Sequence, residues 1–178
     1  IAVAAGAYYG HSQLLELLRP RGVNTVEFDQ TGPPPGDADL ILIEAPSNPM
    51  LTMPDFEAAA AHPAPVICDA TLSSPLRLRP LELGCDVSLH SATKVLAGHD
   101  DLIAGLATVR DPALHTRLFE LRKLSGLVAS PVSAWSRTGK AKTLGAPQRR
   151  SSTLSSDDLP TGTLECVRLG RPSRKSRS

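Results

Sequence analysis

The sequence predicts a three-layer α/β/α fold built on a mostly parallel sheet, and three observations support this. Short apolar runs alternate with segments of helical character along the first 135 residues, which is the pattern of βαβ units. Proline and glycine mark the starts and ends of the helical segments. Polar residues lie at or shortly after the ends of three of the apolar runs, as expected where strand ends meet at one edge of a parallel sheet.

The first third of the chain alternates in this way. IAVAA is an apolar run that predicts a strand, and SQLLELLR predicts a helix that ends at Pro20 and Gly22. NTVEF is strand-like, TGPPPGD predicts a loop, and DLILIEA predicts a strand. The predicted helix carries four leucines on one face, namely Leu14, Leu15, Leu17 and Leu18.

The alternation continues to about residue 124. MPDFEAAAAH predicts a helix with Pro54 near its first turn, and PVICDA predicts a buried strand. RPLELG predicts a short helix closed by Gly84. DVSLHS and LIAGLATV predict two strands, and DPALHTRLFELRKL predicts an amphipathic helix with Pro112 near its start.

The composition excludes several classes of protein. With 41% hydrophobic and 21% charged residues among 178, the chain is long enough for one ordinary globular domain. No apolar run approaches the roughly 18 residues of a membrane helix, so no membrane role is expected. Three scattered cysteines predict buried or free thiols in a reducing compartment, not a disulfide framework. His99, Asp100 and Asp101 do not form a convincing metal set, and no metal site is predicted.

Residues 136–178 differ from the rest of the chain. Up to Trp135 there are 9 Lys and Arg against 15 Asp and Glu, whereas the remainder has 10 against 3. This segment has no sustained period and is rich in Ser, Arg, Gly and Pro, so we predict a partial globular domain at 1–135 and a basic disordered tail at 136–178. A nucleic-acid arm is the alternative, but the tail lacks aromatic residues for stacking, and no nucleic-acid partner is expected.

The polar residues after three strands suggest a specific chemistry. Asn48 follows DLILIEA, Asp69 ends PVICDA, and Lys94 follows DVSLHS. A cofactor with an aldehyde on a pyridine ring requires a lysine amine for a Schiff base and a carboxylate for the ring nitrogen. It also requires hydroxyl groups for its phosphate and often an aromatic ring beside the pyridine, for which the chain offers Ser91, Thr93 and Tyr9.

Longer motifs resemble a known family. They are YYGHSQLL, IEAPSNPMLTMPD, VICDATLSSPLRLRPLELGCDVSLHSATKVLAGHDDLIAG and LRKLSGLVASPVSAW, within residues 1–135. In order and spacing they resemble the pyridoxal-phosphate (PLP) enzymes of the transsulfuration group of Cys/Met metabolism. The resemblance implies part of the large domain of fold-type I PLP-dependent transferases. It also implies a sulfur-containing amino-acid substrate, a cytoplasmic location and a homo-oligomer, either a dimer or a tetramer.

The resemblance also implies residue roles. Lys94 would form the Schiff base and move protons, and Tyr9 would stack on the ring and act at the leaving group. The implied cofactor-binding residues are Lys94, Asp69, Thr71, Ser91, Thr93, Tyr9 and Asn48. The implied reaction is C–S bond cleavage most like that of a cystathionine γ-lyase. The alternatives are γ-replacement of the cystathionine γ-synthase type and a non-catalytic fragment.

Plainer roles remain open for most of these residues. Asp69 could be a strand-end cap, although a carboxylate after an apolar run is costly unless it is paired. Ser91 and Thr93 could satisfy local backbone groups, and Asn48 could be only a turn former. Tyr8 or Tyr9 could pack in the core. His90 is expected to have a structural role.

The chain also departs from the family pattern. Ala70 and Val95 stand where the family often has Asn and Tyr. The N-terminal arm, the upstream phosphate-binding loop and the C-terminal domain have no counterpart in the sequence. We therefore expect an incomplete piece of a longer enzyme, with a reading-frame shift near Trp135 and weak or no catalysis by this chain alone.

Overall fold

The computed structural model of the chain describes residues 1–98, 103–128 and 163–165. Seven strands form one sheet. They are β1 (Ala2–Ala4), β2 (Val26–Phe28), β3 (Ile41–Glu44), β4 (Val66–Asp69), β5 (Val87–Ser91), β6 (Gly105–Val109) and β7 (Thr163–Glu165). Their order in the sheet is β2-β1-β3-β4-β5-β6-β7.

Four α-helices connect or follow these strands: α1 (Tyr9–Leu18), α2 (Phe56–Ala60), α3 (Ser74–Arg77) and α4 (Pro112–Leu124). Two 3₁₀ turns (Arg19–Arg21 and Pro80–Leu83) and a π-type turn (Ala92–Leu96) are the other helical elements of the described residues. Asp55 and Asp111 cap α2 and α4 by accepting backbone N–H groups, as is typical of helix starts. Within the described ranges, none of the helices has both the length and the apolar character that a membrane span requires.

The sheet is parallel over its first five strands. β2 and β3 flank β1, β4 pairs with β3, and β5 pairs with β4, all in parallel. β6 and β7 then add two antiparallel pairs at the far edge. The predicted α/β fold with a mostly parallel sheet is therefore confirmed, and the carboxyl ends of β3, β4 and β5 lie side by side.

Two groups of apolar side chains hold the sheet. The larger includes Ile41, Ile43, Val66 and Cys68 from the central strands, all at most 2% exposed. The smaller joins Val87 and Val109 to the inner side of α4. Apolar burial of this kind is the main favourable term in folding and keeps the strand ends in register.

The leucine face predicted for α1 is buried only in part. Leu15 is buried and Leu18 is half-buried, whereas Leu14 and Leu17 are exposed. Positions 15 and 18 are three residues apart and lie on the same side of a helix, and 14 and 17 share a neighbouring side. The helix therefore packs through the side that carries Leu15 and Leu18. The sequence pattern did not distinguish this side from the one that carries Leu14 and Leu17.

After residue 135, where the sequence predicts no regular element, the structure describes the strand β7, which pairs with Leu106–Thr108 of β6. A three-residue strand held by backbone hydrogen bonds is too short to show a period in the sequence. The boundary at residue 135 and the disorder of the tail remain predictions. Residues 99–102, 129–162 and 166–178 lie outside the described residues, among them His99, Asp100, Asp101, Trp135 and Cys166.

Glu44, the last residue of β3, connects two segments that border the strand ends. Its side chain is buried, with the residue 4% exposed, and Oε2 accepts the backbone N–H groups of Tyr8 at 2.8 Å and Asn48 at 3.0 Å. Burial raises the pKa of the carboxyl group, although the two N–H donors act in the opposite direction. Glu44 therefore fixes the start of α1 and the turn after β3 to one point.

We predict that Glu44→Ala lowers the free energy of unfolding by about 2–3 kcal/mol, because both N–H groups lose their acceptor. Glu44→Gln retains a carbonyl oxygen that can accept both bonds and removes a charge that burial disfavours, so its effect should stay below about 1 kcal/mol. Urea unfolding followed by circular dichroism measures both variants. Equal losses for the two would show that the hydrogen bonds do not hold these segments.

A second prediction concerns Gly84, which has φ +95° after the 3₁₀ turn Pro80–Leu83. A Cβ added there would lie 2.5 Å from Ala60 Cβ at the end of α2. Gly84→Ala should therefore cost about 2–4 kcal/mol, from backbone strain and overpacking together.

Gly22 provides the matched control, because it has φ +86° and open space around the added Cβ. Gly22→Ala should cost only the strain of about 1–2 kcal/mol. The same urea experiment measures both variants, and equal losses would contradict the close packing of Gly84 against α2.

Candidate functional site

The site lies where β3, β4 and β5 end. Glu44 pairs in register with Asp69, and Asp69 with Leu89, so the three carboxyl ends are neighbours in the sheet. Asn48 lies on the turn after β3, and the π-type turn that contains Lys94 follows β5 directly. The structure therefore brings the three predicted segments to one edge.

Asp69 is the centre of a hydrogen-bond network. Its Oδ1 accepts both the backbone N–H and the hydroxyl of Thr71, and its Oδ2 lies 3.1 Å from Nε2 of His11. The Thr71 hydroxyl oxygen in turn accepts the backbone N–H of Ser91 at 2.8 Å. The network ties the ends of β4 and β5 to each other and to α1.

These contacts determine the charge at the site. Burial alone would raise the pKa of Asp69, but the hydrogen bonds from His11 and Thr71 outweigh it, and the pKa is lowered. The hydrogen bond to Asp69 raises the pKa of His11, against the opposing effect of burial. Asp69 is therefore a carboxylate at neutral pH and can accept a hydrogen bond from a protonated ring nitrogen.

Lys94 lies within the Ala92–Leu96 turn, where its backbone leaves the helical conformation at φ −84° and ψ −121°. Its side chain is exposed, and no residue of the described ranges forms an ion pair or hydrogen bond with its ammonium group. The carbonyl oxygen of Lys94 accepts the N–H of Gly98 at 2.9 Å, which closes the turn. The backbone is thus fixed while the amine is available for reaction.

The two predicted phosphate ligands differ. The Thr93 hydroxyl accepts the N–H of Ala104 at 3.1 Å and makes a long contact of 3.4 Å to the Ala104 carbonyl oxygen. The Ser91 side chain is half-buried, and its hydroxyl bonds to no described residue. Thr93 therefore also supports the local backbone, whereas Ser91 has its hydroxyl available.

The two tyrosines stand at the start of α1. Tyr9 is 65% exposed, and its ring centroid lies 4.6 Å from that of Tyr8. Tyr8 makes an edge contact with His11, with ring centroids 5.9 Å apart. Neither ring packs in the core, so the alternative of a purely packing role is wrong for both.

Asn48 is exposed in the turn after β3. This turn contains two cis peptide bonds, Ala45–Pro46 and Asn48–Pro49. Its backbone N–H binds Glu44, and its side-chain amide bonds to no residue in the part of the chain that the structure describes. The residue is therefore a turn former whose amide remains available to a ligand.

Two residues of the site, Glu44 and His11, were not predicted from the sequence. Glu44 ends an apolar run just as Asp69 does, and the rule that such a carboxylate requires a partner would have identified it. His11 gives no comparable signal, because only the fold brings α1 to the end of β4. His90 on β5 is buried, and burial lowers its pKa. Cys68 and Cys85 are buried free thiols, as predicted.

Comparisons with known proteins show which family the chain resembles. A family model described as "Cys/Met metabolism PLP-dependent enzyme" matches residues 25–155, past the boundary predicted at residue 135. The chain is 39% identical over 114 residues to a cystathionine γ-synthase/O-acetylhomoserine (thiol)-lyase of Bacillus subtilis, covering 62% of the chain and 31% of the relative. It is 34% identical over 146 residues to a chloroplastic cystathionine β-lyase of Arabidopsis thaliana, covering 76% and 32%.

Solved structures of enzymes with related names superpose on this chain. A cystathionine γ-synthase from Xanthomonas oryzae pv. oryzae superposes with a TM-score of 0.74 at 34% identity, over 82% of this chain and 40% of that one. A cystathionine γ-lyase from Micromonospora echinospora superposes with a TM-score of 0.75 at 34% identity, over 80% and 41%. The likeness confirms the predicted fold class, and the chain spans about a third of the length of the curated relatives it matches. The chain belongs to the PLP-dependent enzyme family of Cys/Met metabolism.

Proposed function

We propose that the edge formed by the ends of β3, β4 and β5 binds PLP, with Lys94 as the residue that bonds covalently to the cofactor aldehyde. The donor set fits the cofactor. Asp69 Oδ2 accepts one hydrogen bond, from His11, and a carboxylate oxygen can accept about two. The ionised Asp69 can therefore also accept the N–H of a pyridinium ring. This unused acceptor position on the Asp69 carboxylate is the observation that best supports the proposal.

The other residues would complete the site. Ser91 would donate its available hydroxyl to the phosphate, and Thr93 would do so by giving up its long contact with Ala104. Thr71 would lie beside the ring, since its hydroxyl already binds Asp69. Tyr9 would cover the ring with its exposed face, and Asn48 would bind the oxygen substituent of the ring or the substrate carboxylate.

Bound PLP supplies an electron-accepting ring that stabilises negative charge on the substrate carbon. The residues of this chain would orient the ring and move protons. Asp69 would keep the ring nitrogen protonated, the amine of Lys94 would take and return protons at the substrate carbons, and Tyr9 would act at the sulfur leaving group. These roles are general acid–base catalysis by positioned groups.

We propose transsulfuration as the reaction, with cleavage of the C–S bond of a sulfur-containing amino acid in the manner of a cystathionine γ-lyase. A putative cystathionine γ-lyase of Streptomyces coelicolor, 44% identical over 102 residues, supports this choice. The relatives that are named synthases support γ-replacement as the second candidate. We also propose that the intact enzyme is a homo-oligomer. Two assays distinguish C–S cleavage from γ-replacement. One supplies cystathionine, and the other supplies an activated homoserine together with cysteine.

The binding proposal is tested by titrating the full chain with PLP and recording absorbance. The wild-type chain should develop a yellow band. Asp69→Asn should weaken binding by at least about tenfold, because the charged hydrogen bond to the ring nitrogen is lost.

Asp37→Asn is the matched control, since Asp37 is exposed on the loop before β3 and should bind PLP like the wild type. The absence of a yellow band in the wild type, or equal affinity of Asp69→Asn and Asp37→Asn, would contradict the proposed site.

A further inference from the structure

His11 is held in a defined orientation next to Asp69. It lies in the first turn of α1, where its backbone N–H donates to the Tyr8 carbonyl oxygen at 2.9 Å. Its ring meets the edge of the Tyr8 ring on one side and contacts Asp69 Oδ2 at 3.1 Å through Nε2. The His11 and Asp69 side chains are each only 15% exposed. The contact is therefore shielded from solvent, and it is an ion pair when His11 is protonated.

The acceptor capacity of Asp69 shows where a ligand can bind. Oδ1 accepts two hydrogen bonds from Thr71 and is saturated. Oδ2 accepts one, from His11, so the remaining acceptor position of the carboxylate lies beside the imidazole. A group that donates to Asp69 must therefore share Oδ2 with His11. The Nδ1 atom of His11 is buried and bonds to no described residue, so Asp69 is the hydrogen-bond partner of the ring in the described structure.

The charged groups around His11 act together. Asp69 at the end of β4 binds it directly, and Glu44 at the end of β3 also attracts the imidazolium. Tyr8, the residue that precedes α1, faces the ring as a neutral neighbour. The charge of Asp69 acts to raise the pKa of His90 on β5, but burial of His90 has the larger effect and favours its neutral form. The surroundings of His11 thus carry two carboxylates, which raise its pKa by favouring the charged imidazolium.

We propose that His11 is a positioning residue for Asp69, whose Nε2–H fixes the rotation of the carboxylate and helps to keep it ionised, so that Oδ2 presents its second acceptor position to the cofactor ring nitrogen. This inference rests on the proposed function, because it assigns His11 a role toward PLP. A fixed carboxylate binds a pyridinium N–H more strongly than a rotating one, since its geometry does not have to be ordered on binding.

Substitution at position 11 separates the roles of its hydrogen bond and its bulk. His11→Phe keeps an aromatic ring and removes the donor, and it should weaken PLP binding by about tenfold. His11→Gln places an amide N–H near the position of Nε2 and should recover most of the affinity. His115→Gln on α4 is the control and should bind like the wild type. Absorbance titration of the full chain at pH 6 and pH 8 measures all four proteins, after circular dichroism has shown that each is folded.

The pH dependence gives a second readout. A raised His11 pKa means that the ion pair is fully formed below the ordinary value of 6.5 and above the ordinary Asp69 value of 3.8. It is lost as the pH rises through the His11 pKa in the folded chain. The advantage of the wild type over His11→Phe should therefore be larger at pH 6 than at pH 8.

Proton NMR of the chain without cofactor tests the pair independently. The His11 ring signals should titrate at a lower pKa in Asp69→Asn than in the wild type. An unchanged His11 pKa, or PLP affinity in His11→Phe equal to or tighter than that of the wild type, would overturn the role of His11. A wild-type chain that binds no PLP would instead overturn the proposed function, and the NMR titration would still decide whether the pair exists.

Discussion

The carboxylate of Asp69 is a charge at the end of a buried strand, and much of the site is arranged around the need to stabilise it. An unpaired ionised group in such a place would be costly or would become neutral. Two donors from Thr71 and one from His11 offset this cost, and the Thr71 hydroxyl extends the network to Ser91 on β5. The site is thus built into the pairing of β4 and β5 and into the position of α1.

The same edge carries a second buried carboxylate with a different task. Glu44 accepts two backbone N–H groups and has a raised pKa, whereas Asp69 has a lowered one. Glu44 holds backbone segments in place, whereas we propose that the ionised Asp69 oxygen binds the cofactor. The hydrogen-bond partners of the two neighbouring carboxylates thus differ in a way that fits a structural role for Glu44 and the proposed chemical role for Asp69.

Much of this arrangement could be predicted because it is local. Apolar runs predicted β1 to β6, and the Asp-Pro start of α4 and the Gly84 stop are read from adjacent residues. The meeting of Asn48, Asp69 and Lys94 at one edge followed from the parallel order alone. The family resemblance then supplied roles that spacing does not contain, and the family itself is confirmed by the comparisons.

What could not be predicted depends on contacts between distant segments. His11 and Asp69 are 58 positions apart, and no local pattern links them. The hydrogen bond between Thr93 and Ala104 and the pairing of β7 with β6 likewise join segments that no local pattern links. The choice of Leu15 over Leu14 as the buried leucine of α1 depends on how the helix lies on the sheet.

We propose that three parallel strand ends place one amine, that of Lys94, where it bonds to the aldehyde of PLP bound against Asp69. The most direct measurement is borohydride reduction of the PLP-treated chain, followed by mass spectrometry of its peptides. We expect a phosphopyridoxyl group on Lys94 and little on Lys123, which lies on α4. Equal labelling of both lysines, or labelling that leaves Lys94 unmodified, would contradict it.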